Sequence, residues 1–361
     1  MNASNIKGAL LEYLVRRLLA NCGFMSVYPD NLYTYVSGGL FYVNGRGAAH
    51  DADVLMEPPV QMPFSYPSRI LFECKAYGSK ATLSIIRNAL GLKYDINEFE
   101  VVTKNSLIQR MNNRRSNYAI EHRKRYSYQV GVASAGDFSK PAIEFAANNR
   151  IPLLSLAWFM DPSAVDAFQS INQPYIDDID SEIVAKVYAF LKDREHDADQ
   201  ANRNQTARDY LRSDAKVGRV IAAFDNIIER LFVGLIESGD LVFLFAENLY
   251  AAYRFTDLQR LTGLQGRIHY SQQRPDLWNL SVAEDFQREN VAEFNFFVPQ
   301  IIMDLWRQYS LDRERAVQIK GEFFSRIFVF NKGIRPELPF FVINIDREWL
   351  NQVRERQENL G

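Results

Sequence analysis

The chain has 361 residues, 47% hydrophobic and 24% charged, and its 42 Lys and Arg against 44 Asp and Glu give a formal net charge of -2. These values fit a globular protein large enough for two cores and exclude a general pull toward polyanions, so any basic surface has to be local. Cys22 and Cys74 supply no disulfide framework, the histidines lack the paired spacing of a zinc site, and no apolar run suits a bilayer span or a secretory leader, which together read as a cytoplasmic chain without membrane association.

Residues 6 to 20 place Leu10, Leu11, Leu14, Val15, Leu18 and Leu19 at helical spacing, ending near Asn21-Cys22-Gly23. Glu12 stands off that stripe. It can join a site on the sheet, hold Lys75, or pair with Arg16 four residues on at a solvated face. Leu40 to Val43 predicts a strand, Asn44-Gly45 a hairpin turn, and Ala48 through Met56 the returning strand. Pro58, Pro59, Pro63 and Pro67 make a stiff loop, since none can donate into a ladder. The apolar run Ile70-Leu71-Phe72 then predicts a strand through Glu73-Cys74-Lys75; alternation puts Glu73 and Lys75 on one face and Cys74 on the other. A helix over 82–97, a short strand over 99–102, a strand from Tyr128 to Ser134, a helix capped by Ser139 with Pro141 in its first turn, and a strand over 151–156 follow. This order predicts an α/β domain over 1–160, with a mixed sheet between helices.

Three charged groups on this domain carry a chemical expectation. Asp53 interrupts the returning strand near Val54-Leu55-Met56, and a neighbouring strand lies only about 5 Å away in a sheet, so it can meet Glu73 and Lys75 at one sheet edge. Two acids that close repel unless a cation lies between them, and hard oxygen ligands suit Mg²⁺ or Mn²⁺. An ammonium beside such an ion can orient a water toward phosphorus and offset charge on phosphoryl oxygens, which is the chemistry of phosphodiester hydrolysis. The plainer alternative is a sheet-edge salt bridge. His50 either touches the phosphate or a bound water or is structural.

Between Thr103 and Gln129, Lys104, Arg110, Arg114, Arg115, Arg123, Lys124 and Arg125 face the single acid Glu121, with Tyr118, Tyr126 and Tyr128 interleaved. Guanidinium groups bind phosphate bidentately and tyrosines stack or donate to a backbone, so this stretch, with Lys140 further on, is the expected nucleic-acid-facing surface.

Glu12 in the first helix, Asp53 in His-Asp-Ala-Asp-Val-Leu, Glu73-Cys74-Lys75-Ala76, and the Gly136-Asp137-Phe138-Ser139-Lys140-Pro141-Ala142 turn into a helix resemble the PD-(D/E)xK nuclease superfamily, and within it the Mrr-like restriction endonuclease group, over the first 160 residues. The resemblance implies a restriction-endonuclease-like fold, Asp53 and Glu73 as ligands of Mg²⁺ or Mn²⁺, Lys75 assisting the attacking water and Glu12 completing the site. It also implies DNA as substrate, a homodimer or higher oligomer, and a role in restriction or phage defence. Some relatives carry a glutamine on the helix after the Glu-x-Lys strand, where this chain has Arg87 and Asn88. The catalytic groups recognise phosphate rather than sugar, so RNA is not excluded, and a catalytically inactive nucleic-acid-binding or scaffold subunit is the competing reading.

Residues 161–215 read as helices and a polar connector. Beyond them, 216–361 is expected to be an accessory α+β domain for dimerisation, sensing, substrate recognition or a partner protein. Its expected elements are a helix over 215–236, strands over 241–245, 267–270, 294–298, 322–331 and 339–345, a helix over 301–309 and a charged terminal helix over 347–360. Arg267, His269, Arg274, Trp278, Lys320 and Arg326 are its polar and aromatic groups, without a constellation that names a chemistry.

Overall fold

The computed structural model describes residues 1–59, 61, 66–99, 108, 126–194, 204–258, 263–286, 292–330 and 340–358. The first helix, α1 (Ala3–Asn21), is capped by Asn2, whose side chain accepts from the Asn5 N–H at 2.9 Å. Strands β1 (Met25–Ser26), β2 (Thr34–Ser37), β3 (Leu40–Asn44), β4 (Ala49–Asp51), β5 (Val54–Glu57) and β6 (Ser68–Lys75) follow, then α2 (Leu83–Asn97), β7 (Ser127–Ser134), α3 (Lys140–Asn148) and β8 (Leu153–Ser155). The expected strand from Ala48 to Met56 is two strands. β4 pairs with β3 in a three-stranded sheet, β5 pairs with β6 in the main sheet, and Asp53 lies where the chain passes from one to the other.

The main sheet has the order β1-β5-β6-β7-β8, antiparallel from β1 to β6 and parallel from β6 to β8. Alternation along its strands feeds two layers. Val54, Met56 and Phe72 join α1 in one core; Leu55, Leu71, Val130 and Val132 join Ile86 and Ala89 of α2 and Ala142 and Ala146 of α3 in the other. Helices thus cover both faces, the α/β layering expected of parallel strands buried on each side.

Residues 161–215 are mostly helical. Helices α4 (Pro162–Gln169), α5 (Gln173–Asp177), α6 (Ser181–Lys192) and α7 (Gln205–Ser213), with α8 (Val217–Ile228), bury Phe168, Val184, Val187, Leu191, Leu211, Val220 and Phe224 in the core that α1 occupies. The stretch read as a polar connector therefore completes the α1 layer. Asp180 caps α6 through the N–H groups of Glu182 and Ile183, and the helix ends at Lys192.

The C-terminal part is a closed seven-stranded barrel, a stricter architecture than the expected α+β layer. Its elements are β9 (Leu231–Ile236), β10 (Leu241–Ala246), α9 (Leu249–Leu258), β11 (Gln265–Ser271), β12 (Arg274–Ala283), β13 (Ala292–Phe297), α10 (Gln300–Gln308), α11 (Arg313–Phe323), β14 (Arg326–Phe330), β15 (Phe340–Ile345) and α12 (Arg347–Glu358), with strand order β10-β13-β12-β11-β15-β14-β9. The helix expected over 215–236 stops at Ile228, and Leu231–Ile236 is a strand instead. A Cβ on Gly234 would lie 3.0 Å from Val242 and 3.1 Å from Ile327, a closeness that belongs to strand packing. Among the described residues no helix is long and apolar enough to cross a membrane.

Candidate active site

The β5–β6 ladder pairs Val54 with Phe72, and one more step of that register sets Asp53 across from Glu73. The Asp53 carboxylate accepts the Cys74 N–H at Oδ2, 2.8 Å away, which ties the sheet crossing to the Glu-x-Lys strand. On the same face of β6 the Lys75 ammonium donates to Glu73 Oε2 at 2.9 Å, with side chains 26% and 21% exposed, so the pair is open to solvent. Cys74 turns to the α1 layer as alternation requires.

Electrostatics at this edge are dominated by crowded acids. Burial pushes the Asp53 carboxyl up, Glu12 and Glu73 push it further, the Cys74 N–H opposes, and the result is about 7. Burial pulls the Lys75 ammonium down, but Glu73 and then Asp53 outweigh it, so Lys75 is a firm cation at neutral pH. The Cys74 thiol is raised by burial and by Asp53, which makes it a poor nucleophile.

Glu12 is neither a solvated surface residue nor a partner of Lys75. It is buried, and both its oxygens accept from the Lys192 ammonium at 2.7 Å, with Arg16 Nη1 3.8 Å away. Lys192 reaches it because α6 packs along α1. Two residues on, Arg194 Nη2 donates to the Ala52 carbonyl at 2.8 Å, and its guanidinium lies 4.1 Å from the centre of the Phe41 ring. The sequence reading missed Lys192 and Arg194. They sit in a stretch that looks like a polar connector, and contacts 180 and 142 positions apart leave no local signature.

A hard divalent ion needs oxygen donors that are not already engaged. Asp53 Oδ2 and Glu73 Oε2 are used, Asp53 Oδ1 and Glu73 Oε1 have no hydrogen-bond partner among the described residues, and Glu12 is fully occupied. Among the described residues no group of three or more His, Cys, Asp or Glu side chains is placed to hold a metal. Two unengaged carboxylate oxygens fall short of an all-protein cage, and a hard ion there would take most of its ligands from water.

Other expected site residues have different fates. His50 Nε2 and Asp95 Oδ2 are 2.6 Å apart, and Asp95 also accepts the Gly47 N–H at 2.7 Å, so His50 pins the hairpin to α2. Arg110, Arg114, Arg115, Arg123, Lys124 and Arg125, with Lys104 and Tyr118, lie outside the described residues. Tyr126 and Tyr128 engage Arg69, which stacks 3.4 Å from the Tyr126 ring centre, while Tyr128 is buried and accepts from Arg69 Nη1 at 3.4 Å. Lys140 is exposed at the start of α3, 4.0 Å from Glu144, and lines a cleft of about 1100 Å³ against the barrel that contains none of Glu12, Asp53, Glu73 or Lys75. The Gly136-Asp137-Phe138-Ser139 turn is held by Ser155 Oγ donating to the Gly136 carbonyl at 2.9 Å and by Ala81 N–H donating to the Asp137 carbonyl at 2.8 Å.

No family model and no curated protein matches the chain. Among solved structures it is similar to the crystal structure of a protein of unknown function, AF1548, at 14% identity over 57% of this chain and 97% of that one, with a TM-score of 0.29. At that level the similarity carries no inference about fold or activity.

Proposed function

We propose that the N-terminal domain hydrolyses phosphodiester bonds of nucleic acid, with DNA as the substrate class, as a metal-dependent endonuclease of the PD-(D/E)xK type. One observation carries the reading: the β5–β6 register sets Asp53 across from Glu73, which holds the Lys75 ammonium, and burial, Glu12 and Glu73 all push the Asp53 carboxyl up. Acids arranged to repel stabilise nothing by themselves; a cation between them turns the same arrangement favourable. The order of helix, antiparallel strands, helix, parallel strand, helix and parallel strand also supports it, because it puts the aspartate at the start of one strand and Glu-x-Lys at the end of the next.

Asp53 Oδ1 and Glu73 Oε1 would hold the ion, Mg²⁺ or Mn²⁺, which when bound supplies charge for the phosphoryl oxygens and a more acidic water. The Cys74 N–H fixes the Asp53 carboxylate through its other oxygen. Lys75 stays protonated, so it orients the attacking water and neutralises developing charge and does not itself take up a proton. Glu12, ion-paired with Lys192, pushes the Asp53 carboxyl up through its negative charge and acts as a positioning group. Purified protein incubated with plasmid DNA and Mg²⁺ or Mn²⁺ tests this. Wild type is expected to nick or cut, and Asp53→Asn and Glu73→Gln to lose activity by at least roughly a thousandfold. Equal cleavage in both variants refutes the assignment.

A second reading has its own observation. The lack of a three-ligand group among the described residues and the locking of Glu12 to Lys192 suit a nucleic-acid-binding or scaffold subunit that does not cleave. It predicts DNA retention with no product in either metal. Replacing the plasmid with RNA distinguishes a ribonuclease that uses the same groups.

A further inference from the structure

The chain crosses from the three-stranded sheet to the main sheet at Ala52 and Asp53, between the two ladders. Ala52 is fully buried, and buried backbone groups need partners. Its N–H donates to the Phe41 carbonyl at 2.7 Å, and its own carbonyl accepts from Arg194 Nη2 at 2.8 Å. The same guanidinium lies 4.1 Å from the Phe41 ring centre. A planar guanidinium can rest on a ring while it donates in its own plane, so Arg194 holds the crossing and the β3 residue bonded to it together. Arg194 is in turn held from α1. Both oxygens of Glu12 accept from Lys192 at 2.7 Å, and buried Arg16, one turn further along α1, donates through Nη2 to the Leu191 carbonyl and, at 3.4 Å, to the Asp193 carbonyl. Those carbonyls belong to the end of α6, where a helix leaves acceptors without intrahelical partners. A run of contacts therefore leads from α1 through residues 191–194 to the residue before Asp53.

We propose that Arg194 is a positioning residue for Asp53: it fixes the sheet crossing so that the Asp53 carboxylate stays across from Glu73, and the catalytic unit extends beyond β8 to the tail of α6. The expected effect on cleavage rests on the nuclease reading, and the expected effect on Asp53 itself does not. The Cys74 N–H, 2.8 Å from Asp53 Oδ2, fixes one carboxylate oxygen but not the backbone that carries it. Arg194 fixes that backbone through the Ala52 carbonyl. A reacting group misplaced by about 1 Å costs about 100-fold in rate, and removing a residue that orients a metal ligand costs about 10- to 100-fold in affinity or activity.

Two readouts on the full-length protein test it. Without metal or nucleic acid, hydrogen exchange at the Cys74 N–H reports whether Asp53 stays in place, and the Val132 N–H, bonded to the Pro152 carbonyl at 2.9 Å, serves as the control. Arg194→Met keeps an apolar stem against Phe41 and removes the donors. It is expected to speed exchange at Cys74 at least about tenfold with Val132 unchanged, and to lower kcat on DNA with Mg²⁺ about 10- to 100-fold with KM within about twofold. Arg194→Lys restores a donor without the plane and is expected to lie between the two proteins in both readouts. Unchanged Cys74 exchange in Arg194→Met, a rise that includes Val132, or a change in KM with kcat kept overturns the positioning role. Should Arg194→Met fail to fold, Arg194→Lys decides: faster Cys74 exchange with lower kcat supports the role, and wild-type values in both overturn it. If wild type cuts nothing while Arg194→Met still speeds exchange at Cys74 alone, the endonuclease reading fails and the positioning of Asp53 stands.

Discussion

At the edge of the N-terminal sheet, cations and carboxylates are interleaved, whereas in the barrel a buried cation is held by rings. Lys320 of α11 is 4% exposed, and its ammonium lies 5.1 Å from the Tyr270 ring centre, 5.7 Å from Trp278 and 5.4 Å from Trp349. No carboxylate pairs with it among the described residues, and burial alone brings its pKa down to about 8. Three π faces offset part of its desolvation, and the surrounding aromatic cluster is packed. The sheet edge is the reverse: Glu12 is paired, Glu73 is half paired, Asp53 is pushed toward neutrality, and buried Arg16 Nη1 has no hydrogen-bond partner. The barrel charge is closed within its own fold. The sheet-edge charges are left partly unmatched within theirs.

The largest effect that sharpens this contrast is on chemistry. Lys75→Ala is expected to lower kcat for metal-dependent cleavage by roughly 100- to 10,000-fold with little change in KM, read from steady-state kinetics on a DNA substrate. A change confined to KM would make Lys75 a binding residue.

Stability against pH separates the two regions by sign. The Asp53 pKa is raised from an unfolded value of about 3.9 to about 7 in the folded chain. The folded state therefore binds the extra proton between those values, and stability falls as pH rises from about 4 to 7 and stays lowered above that. Asp53→Asn removes the loss. The metal-free variant should be more stable than wild type at pH 8, by up to roughly 4 kcal/mol, with the gap closing near pH 4. Lys320 works in the opposite direction. Its folded pKa of about 8 lies below the unfolded value, which is about 10.4. Stability should then rise with pH across that interval by up to roughly 3 kcal/mol. Lys320→Met should flatten this rise while leaving cleavage unaltered. Thermal melts from pH 4 to 10 check both, and slopes of equal sign would break the comparison.

The smallest expected effect concerns the scaffold under Glu73. A Cβ on Gly131 of β7 would lie 2.6 Å from Phe72 Cε1 and 2.9 Å from the Pro152 carbonyl oxygen, and neither neighbour can move without disturbing the sheet. Gly131→Ala should cost about 1–3 kcal/mol in a denaturation experiment.

How much of this was legible in sequence follows from the range of each signal. The β6 strand and the sharing of a face by Glu73 and Lys75 came from alternation, which is local. Glu12 was visible as a misfit on an apolar helix, but its partner was not, because Lys192 arrives by packing of α6 on α1. The apolar run Leu231–Ile236 carries no periodicity that separates a buried strand from the end of a helix, and it was assigned to the helix. The barrel was hidden because its closure depends on β11 pairing in parallel with β15, and nothing in either strand announces the other. Tyr126 and Tyr128 stand beside basic residues in the sequence, while the fold sets both against Arg69, more than fifty positions earlier, a contact with no local signature.

The central claim is that Asp53 and Glu73 share one divalent ion. Mn²⁺ binding to the full-length protein at pH 8, followed by calorimetry in the absence of nucleic acid, tests it most directly. The account predicts one site per chain in wild type that is lost in both Asp53→Asn and Glu73→Gln. The same stoichiometry and affinity in all three proteins, or no bound ion in wild type, would contradict it.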